Sequence, residues 1–196
     1  MSHRISRWRI LWIFLAANWA FTPGVVRAQS GYSDAGEMTA FAGGSFGFGT
    51  QPMVGGSLAA AISRNATALL ESSFQPMGKY TIQPWPASST VQRSYLYDFN
   101  FCFHIRFPVK DRWEPYAIAG VGLLWNKVRQ NAAGPSGNAV YNDYDQFNAG
   151  LHTGGGLRYF IGEKWGIRPE VKVIVSKQTY ARLSIGIFYV LPANWP

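Results

Sequence analysis

Apolar residues fill every second position from Ile167 to Val175, and Arg168, Glu170 and Lys172 stand between them. A strand points successive side chains to opposite faces, so this stretch has one apolar face and one charged face. Residues 91–107 alternate over a greater length. One face there carries Tyr95, Tyr97, Phe99, Phe101, Phe103, Ile105 and Phe107; the other carries Ser94, Leu96, Asp98, Asn100, Cys102, His104 and Arg106. The first row makes an apolar band roughly 20 Å tall at ~3.3 Å of rise per residue. Further on, Phe147, Leu151, Leu157, Tyr159 and Ile161 lie opposite Asn148, His152 and Arg158. Leu183, Ile185, Ile187, Tyr189 and Leu191 lie opposite Arg182, Ser184, Gly186 and Phe188. Past the first 28 residues, no run with helical spacing of apolar positions outscores this alternation.

The pattern predicts eight strands, over residues 37–50, 54–63, 66–75, 91–107, 114–127, 145–161, 166–176 and 180–191. The connections after the even-numbered strands, at 64–65, 108–113 and 162–165, are short. The long ones follow odd-numbered strands: 76–90, with Pro76, Gly78, Pro84 and Pro86, and 128–144, rich in Asn, Gly and Asp. Short turns on one side and longer loops on the other are the pattern of an outer-membrane barrel. An even strand count returns both ends to the periplasmic side. The strands match or exceed the ~9–11 residues that cross a bilayer at a tilt.

Which face is wet separates two architectures. A soluble barrel would turn the aromatic face inward, yet eight strands enclose a space only just wide enough for side chains. The face opposite the aromatics carries Gly120, Gly122, Gly150, Gly154, Gly156, Ser184 and Gly186, which suit a tight lumen. Large residues outside and small ones inside predict an all-β fold, an eight-stranded antiparallel transmembrane β-barrel.

The first 28 residues read as a secretory leader. Arg4, Arg7 and Arg9 precede an apolar run from Ile10 to Phe21 that is too short to span a bilayer, and Val26-Arg27-Ala28 predicts cleavage before Gln29. Residues 29–196 then form one barrel domain. Without the leader's four arginines the net charge falls from +8 to about +4, too mild to argue for nucleic acid. The single cysteine, Cys102, excludes an internal disulfide.

Pro115-Tyr116-Ala117-Ile118-Ala119-Gly120-Val121-Gly122, residues 150–159 and Leu183-Ser184-Ile185-Gly186-Ile187-Phe188-Tyr189 resemble the outer-membrane β-barrel domain of the OmpA-like, small-porin type. The resemblance covers most of the mature chain and implies architecture rather than activity. Two features depart from it. Pro192-Ala193-Asn194-Trp195-Pro196 follow the last strand, where such barrels commonly end on an aromatic, and Pro169 interrupts a strand near its periplasmic end. The peptidoglycan-binding domain of larger relatives is not expected after strand 8.

The inward face gathers Glu71, Asp98, Arg106, Arg158, Arg168, Glu170, Lys172 and Arg182. Charges withdrawn from water must be paired, so the expectation is a structural salt-bridge network filling the lumen, with a gate or ion path as the alternative. Glu170, between Arg168 and Lys172 and flanked by Arg158 and Arg182, is expected at its centre. His104 and His152 are expected inside as hydrogen-bonded residues, and Cys102 as a small lumen residue. Gly154-Gly155-Gly156 lacks the lysine and the helix of a phosphate loop, and is expected to serve curvature or close packing. No catalytic motif, cofactor site or metal site is expected.

The sequence therefore predicts an exported, monomeric outer-membrane barrel with a structural or surface-interaction role. Its expected partners are outer-membrane lipid and an extracellular ligand or surface partner met by loops 76–90 and 128–144; nucleic acid is not among them. The competing readings are a lipid A-modifying enzyme, a small pore and a soluble periplasmic lipocalin-like binding barrel.

Overall fold

A computed structural model describes residues 36–47, 49–85, 88–107, 112–133 and 139–191. The predicted leader, its cleavage before Gln29 and the tail after Leu191 lie outside these residues. Eight strands follow one another: β1 Gly36–Phe46, β2 Thr50–Ala61, β3 Ala66–Trp85, β4 Ser88–Arg106, β5 Trp113–Ala133, β6 Ala139–Phe160, β7 Trp165–Val175 and β8 Thr179–Leu191. Each pairs antiparallel with its neighbours, and β1 closes on β8 from Gly36↔Leu191 to Phe46↔Ala181. Closure removes the open edges that a sheet of this length would otherwise present.

The alternation sets the faces. Phe99, Phe101, Phe103, Ile105, Val121, Leu123, Phe147, Leu151, Ile185 and Ile187 are exposed on the outside, while Leu69, Cys102, Ile118, Ile174 and Phe188 are buried within. Aromatic rows border the apolar belt. On the side of the short turns, Trp113 and Tyr159 pack with ring centroids 4.4 Å apart, and Trp165 is paired with Tyr189. On the other side Phe74, Tyr97, Trp125 and Phe147 are neighbours in register across β3 to β6. Their successive centroids lie 5.2, 5.0 and 5.9 Å apart. From Trp113 to Trp125 the tilted wall spans roughly 30 Å in height, close to the apolar band of a bilayer barrel.

The long connections are corrected. Residues 76–85 and 88–90 belong to β3 and β4, and residues 128–133 and 139–144 belong to β5 and β6. The predicted loops are mostly strand, and β3 to β6 rise beyond the upper aromatic row as a four-stranded sheet. Prolines and glycines in 76–90 read as loop signals. Pro76 is tolerated because β2 stops pairing at Val54↔Phe74, so the flank that its missing N–H faces has no partner strand. The β1–β2 boundary also moves: β1 ends at Phe46 and β2 begins at Thr50, with Gly47 at φ 144° and Gly49 at φ 89°.

Pro169 behaves as its chemistry requires. The β6–β7 ladder runs to Gly156↔Glu170 and resumes at Tyr159↔Ile167 in the same register, so the proline interrupts pairing without displacing the strand.

Candidate functional site

The lumen is a column of opposite charges, each placed by the inward parity of its strand. At the end near the short turns, Arg158 of β6 reaches Glu114 of β5 and lies 2.6 Å from Glu37 of β1. Arg106 sits 4.0 Å from Glu114, and its guanidinium also donates to the Arg64 carbonyl at 3.1 Å. Arg168 of β7 donates to Glu37 at 2.9 Å, and its Nε lies 3.7 Å from Glu170. Thr39 donates to the same Glu37 oxygen at 3.1 Å.

Four side chains meet in the middle. Lys172 Nζ lies 2.7 Å from Glu71 and 3.0 Å from Glu170. Arg182 contacts Glu71 and is 3.7 Å from Glu170. Tyr116 donates its hydroxyl to Glu170 at 2.8 Å, and Asn100 donates to Glu71 at 3.2 Å. Gly156 makes the tyrosine contact possible, because a side chain there would strike the Tyr116 hydroxyl. Higher up, Arg182 reaches Asp98 at 3.4 Å, and His152 Nε2 is 3.6 Å from the other Asp98 oxygen.

All eight charged residues singled out in the sequence are buried here. Glu71, Glu170, Lys172 and Arg182 come together, while Arg158 engages Glu37 and Glu114 at a lower level. Glu37 and Glu114 were not singled out. The signal for both was parity: Glu37 precedes Thr39 and Phe41, and Glu114 precedes Tyr116 and Ile118, all on inward faces. Glu170 also shares its central place with Glu71, a carboxylate four strands away in sequence. Five carboxylates, with Glu37 and Glu114 added, thus meet Arg106, Arg158, Arg168, Lys172 and Arg182.

An apolar layer lies above the column. Leu96, Leu124, Ile174 and Tyr180 pack together, one step beyond Asp98, Lys172 and Arg182 along their strands. Leu69, Cys102, Tyr116 and Ile118 fill a second region between β3 and β5. Arg158 lies 4.9 Å from the ring centre of Phe160 and 4.8 Å from that of Phe188, which occupy the opposite end.

A closed eight-stranded wall, apolar outside and charged within, is the expected form of a bilayer barrel, and comparison decides the family. The model of the outer membrane protein beta-barrel domain matches residues 15–189. The chain belongs to this family. It is an integral outer-membrane β-barrel protein. Among solved structures, a major outer membrane protein from Thermus thermophilus is similar at a TM-score of 0.56 and 10% identity, covering 80% of this chain and 100% of that one. Neisserial surface protein A is similar at a TM-score of 0.52 and 13% identity, covering 80% and 96%. Identities this low speak for the fold alone. A search of curated proteins finds no match.

In this outer-membrane barrel both histidines face inward, but the expected hydrogen bonds are not formed: neither ring nitrogen of His152, nor Nε2 of His104, has a hydrogen-bond partner among the described residues. His104 stacks on Tyr116 with centroids 4.6 Å apart, and His152 is fully enclosed beside Asp98 and over Gly122, where a side chain would collide with its ring. Cys102 is a buried free thiol 3.2 Å from the Asn100 side-chain oxygen. Among the described residues, no cluster of His, Cys, Asp and Glu could hold a metal ion.

Proposed function

We propose that this chain is a closed, non-conducting outer-membrane barrel with a structural and surface-interaction role, in which the lumen charges fasten the wall and the β3–β6 sheet faces outward to meet partners. The observation that carries this reading is the charge column under its apolar lid. Its five cations and five carboxylates compensate each other, and Leu96, Leu124, Ile174 and Tyr180 pack together above them. A permeating ion would have to break these pairs and then cross the apolar layer, both steep costs in a low-dielectric lumen.

The same geometry speaks against a lipid A-modifying enzyme. Such chemistry needs its groups at the rim, within reach of bilayer lipid, whereas His104 and His152 are buried among lumen residues. A leader cleaved before Gln29 would deliver the chain, and the barrel would work as a monomer. The test is reconstitution into planar bilayers. The expected result is no stepwise conductance from protein whose heat-modifiable migration shows a folded barrel. Reproducible ion-selective steps from such protein would replace this reading with the small pore.

A further inference from the structure

Above the row Phe74–Tyr97–Trp125–Phe147 the outward face changes chemistry. On β5 the next outward residues are Lys127 and Arg129; on β4 they are Tyr95 and then the exposed Arg93. β3 would not offer a cation there if its alternation continued unbroken. Pro76 faces Tyr95 in register, but the next pair is Lys79↔Arg93, so one extra residue enters β3, with Gly78 at φ 96°. A bulge of this kind re-aims the side chains that follow it. It turns Lys79 to the outward face, directly opposite Arg93, and Arg93 is in turn opposite Arg129.

Three exposed cations therefore stand in one cross-strand row. Opposed residues of an antiparallel pair have Cβ atoms ~4.5–5.5 Å apart, and like charges at that spacing repel. Compensation from the protein is one-sided. Asp143 on β6 lies 3.5 Å from Arg129, but residues 76–97, the outer parts of β3 and β4, contain no acidic residue. A sheet with a bulge that completes a row of repelling cations is arranged for an anion. The Arg93 backbone is roughly 10 Å above the aromatic row, slightly beyond the ~5–8 Å that interfacial regions add to each side of the hydrocarbon, and its long side chain spans the difference to the headgroups. Directly below it on the same face run Tyr95, Tyr97 and Phe99, a surface for acyl chains.

The geometry points to a binding site for the phosphate of a phosphorylated lipid headgroup, held by Lys79, Arg93 and Arg129 with its chains lying down the outer wall of β4. The guanidinium forks supply paired donors to phosphate oxygens, and Lys79 adds a point charge. Lys127, one outward step below Arg129, is opposite the exposed Asp145 of β6 and is compensated within the sheet, so the site is the row of three. An amphiphile fits better than a soluble polyanion, because the cation row continues without a break into the apolar belt. The inference rests on the reading of this chain as a membrane barrel with this sheet above the bilayer.

The test places the folded protein in phosphatidylcholine nanodiscs that also hold lipid A, bearing phosphates or stripped of them, and counts retained lipid by native mass spectrometry. The wild type is expected to retain the phosphorylated form at least tenfold over the stripped one. Arg93→Gln, at the centre of the row, should lose most of that preference, and the combination of Lys79→Gln, Arg93→Gln and Arg129→Gln should abolish it. Lys177→Gln, on the β7–β8 turn, should leave it unchanged. Because these changes remove repulsion, the triple variant should also protect the outer β3–β4 hairpin from hydrogen exchange better than wild type when phosphorylated lipid is absent. Equal retention of both lipids overturns the proposal, as does a preference that survives the triple variant or falls equally with Lys177→Gln. Displacement of the lipid by inorganic phosphate alone also overturns it. Conductance measurements are independent of these outcomes, so failure of the lipid site and failure of the closed-barrel reading give different results.

Discussion

Lys172 has no exposed surface, so its charge depends on Glu71 at 2.7 Å and Glu170 at 3.0 Å. Glu71 serves both Lys172 and Arg182, and its contacts are the shorter ones. Glu71→Gln should therefore destabilise the barrel by about 3–5 kcal/mol, the cost of stranding a buried partner, and by more than Glu170→Gln. Adding Lys172→Met to Glu71→Gln should recover part of that loss, because the stranded ammonium goes too. Urea unfolding in lipid vesicles measures these variants together with Lys172→Met alone, and strictly additive losses would contradict the coupling. On the other face, Phe101 stands in the middle of the lipid belt beside Phe103, with ring centroids 5.0 Å apart. Phe101→Arg should cost about 2–4 kcal/mol, as a cation does near the bilayer midplane. Asn100→Ala, a neighbour on the lumen face, should instead disturb Glu71, to which Asn100 donates at 3.2 Å.

At the scale of the element, the short strands β1, β2, β7 and β8 hold the barrel closed, and the longer β3 to β6 carry the sheet beyond it. The bulge in β3 belongs to that outer sheet, not to the membrane wall. Gly78 sits at φ 96°, where a β-branched side chain is strained. Gly78→Val should cost about 1–2 kcal/mol locally and loosen the outer β3–β4 hairpin, read as faster hydrogen exchange in residues 79–93. Heat-modifiable migration should not change, because the closing ladders lie below the bulge. A loss of barrel folding would place the bulge in the membrane wall instead. Alternation made the strands inside the bilayer legible within a few residues. Above it, Pro76, Gly78 and Pro84 carried ordinary turn chemistry, and nothing local showed that β4 would hold the segment in a sheet.

For the whole molecule, closure and charge balance act together. Ten charged side chains from β1 and β3 to β8 meet inside one wall, and the pairs of Glu71 with Lys172 and Arg182 and of Glu37 with Arg158 and Arg168 join strands that only closure brings together. Folding should therefore be strongly cooperative, with tryptophan fluorescence and gel migration reporting the same urea midpoint. Delivery precedes folding. The leader reading predicts that mature protein from the outer-membrane fraction begins at Gln29, within about two residues. N-terminal sequencing that returned an intact Met1 from that fraction would reject it.

What the sequence determined by itself was the solvent of each face. Period-2 alternation fixes which side of a strand a residue takes, and the division into aromatic and small-or-charged faces assigns lipid and lumen, so Arg106, Arg158, Arg168, Lys172 and Arg182 were legible as inward residues. Only the tertiary structure decided their partners. Glu71 reaches Lys172 and Arg182 across the lumen, from a strand far away in the chain, and Glu37 joins Arg158 and Arg168 because β1 closes on β8. The cation row was hidden for the same reason. Lys79, Arg93 and Arg129 are far apart in sequence, and one extra residue in β3 decides which way Lys79 points. Facing is a local property with a period of two, whereas pairing depends on register, and register is set by the closed sheet as a whole.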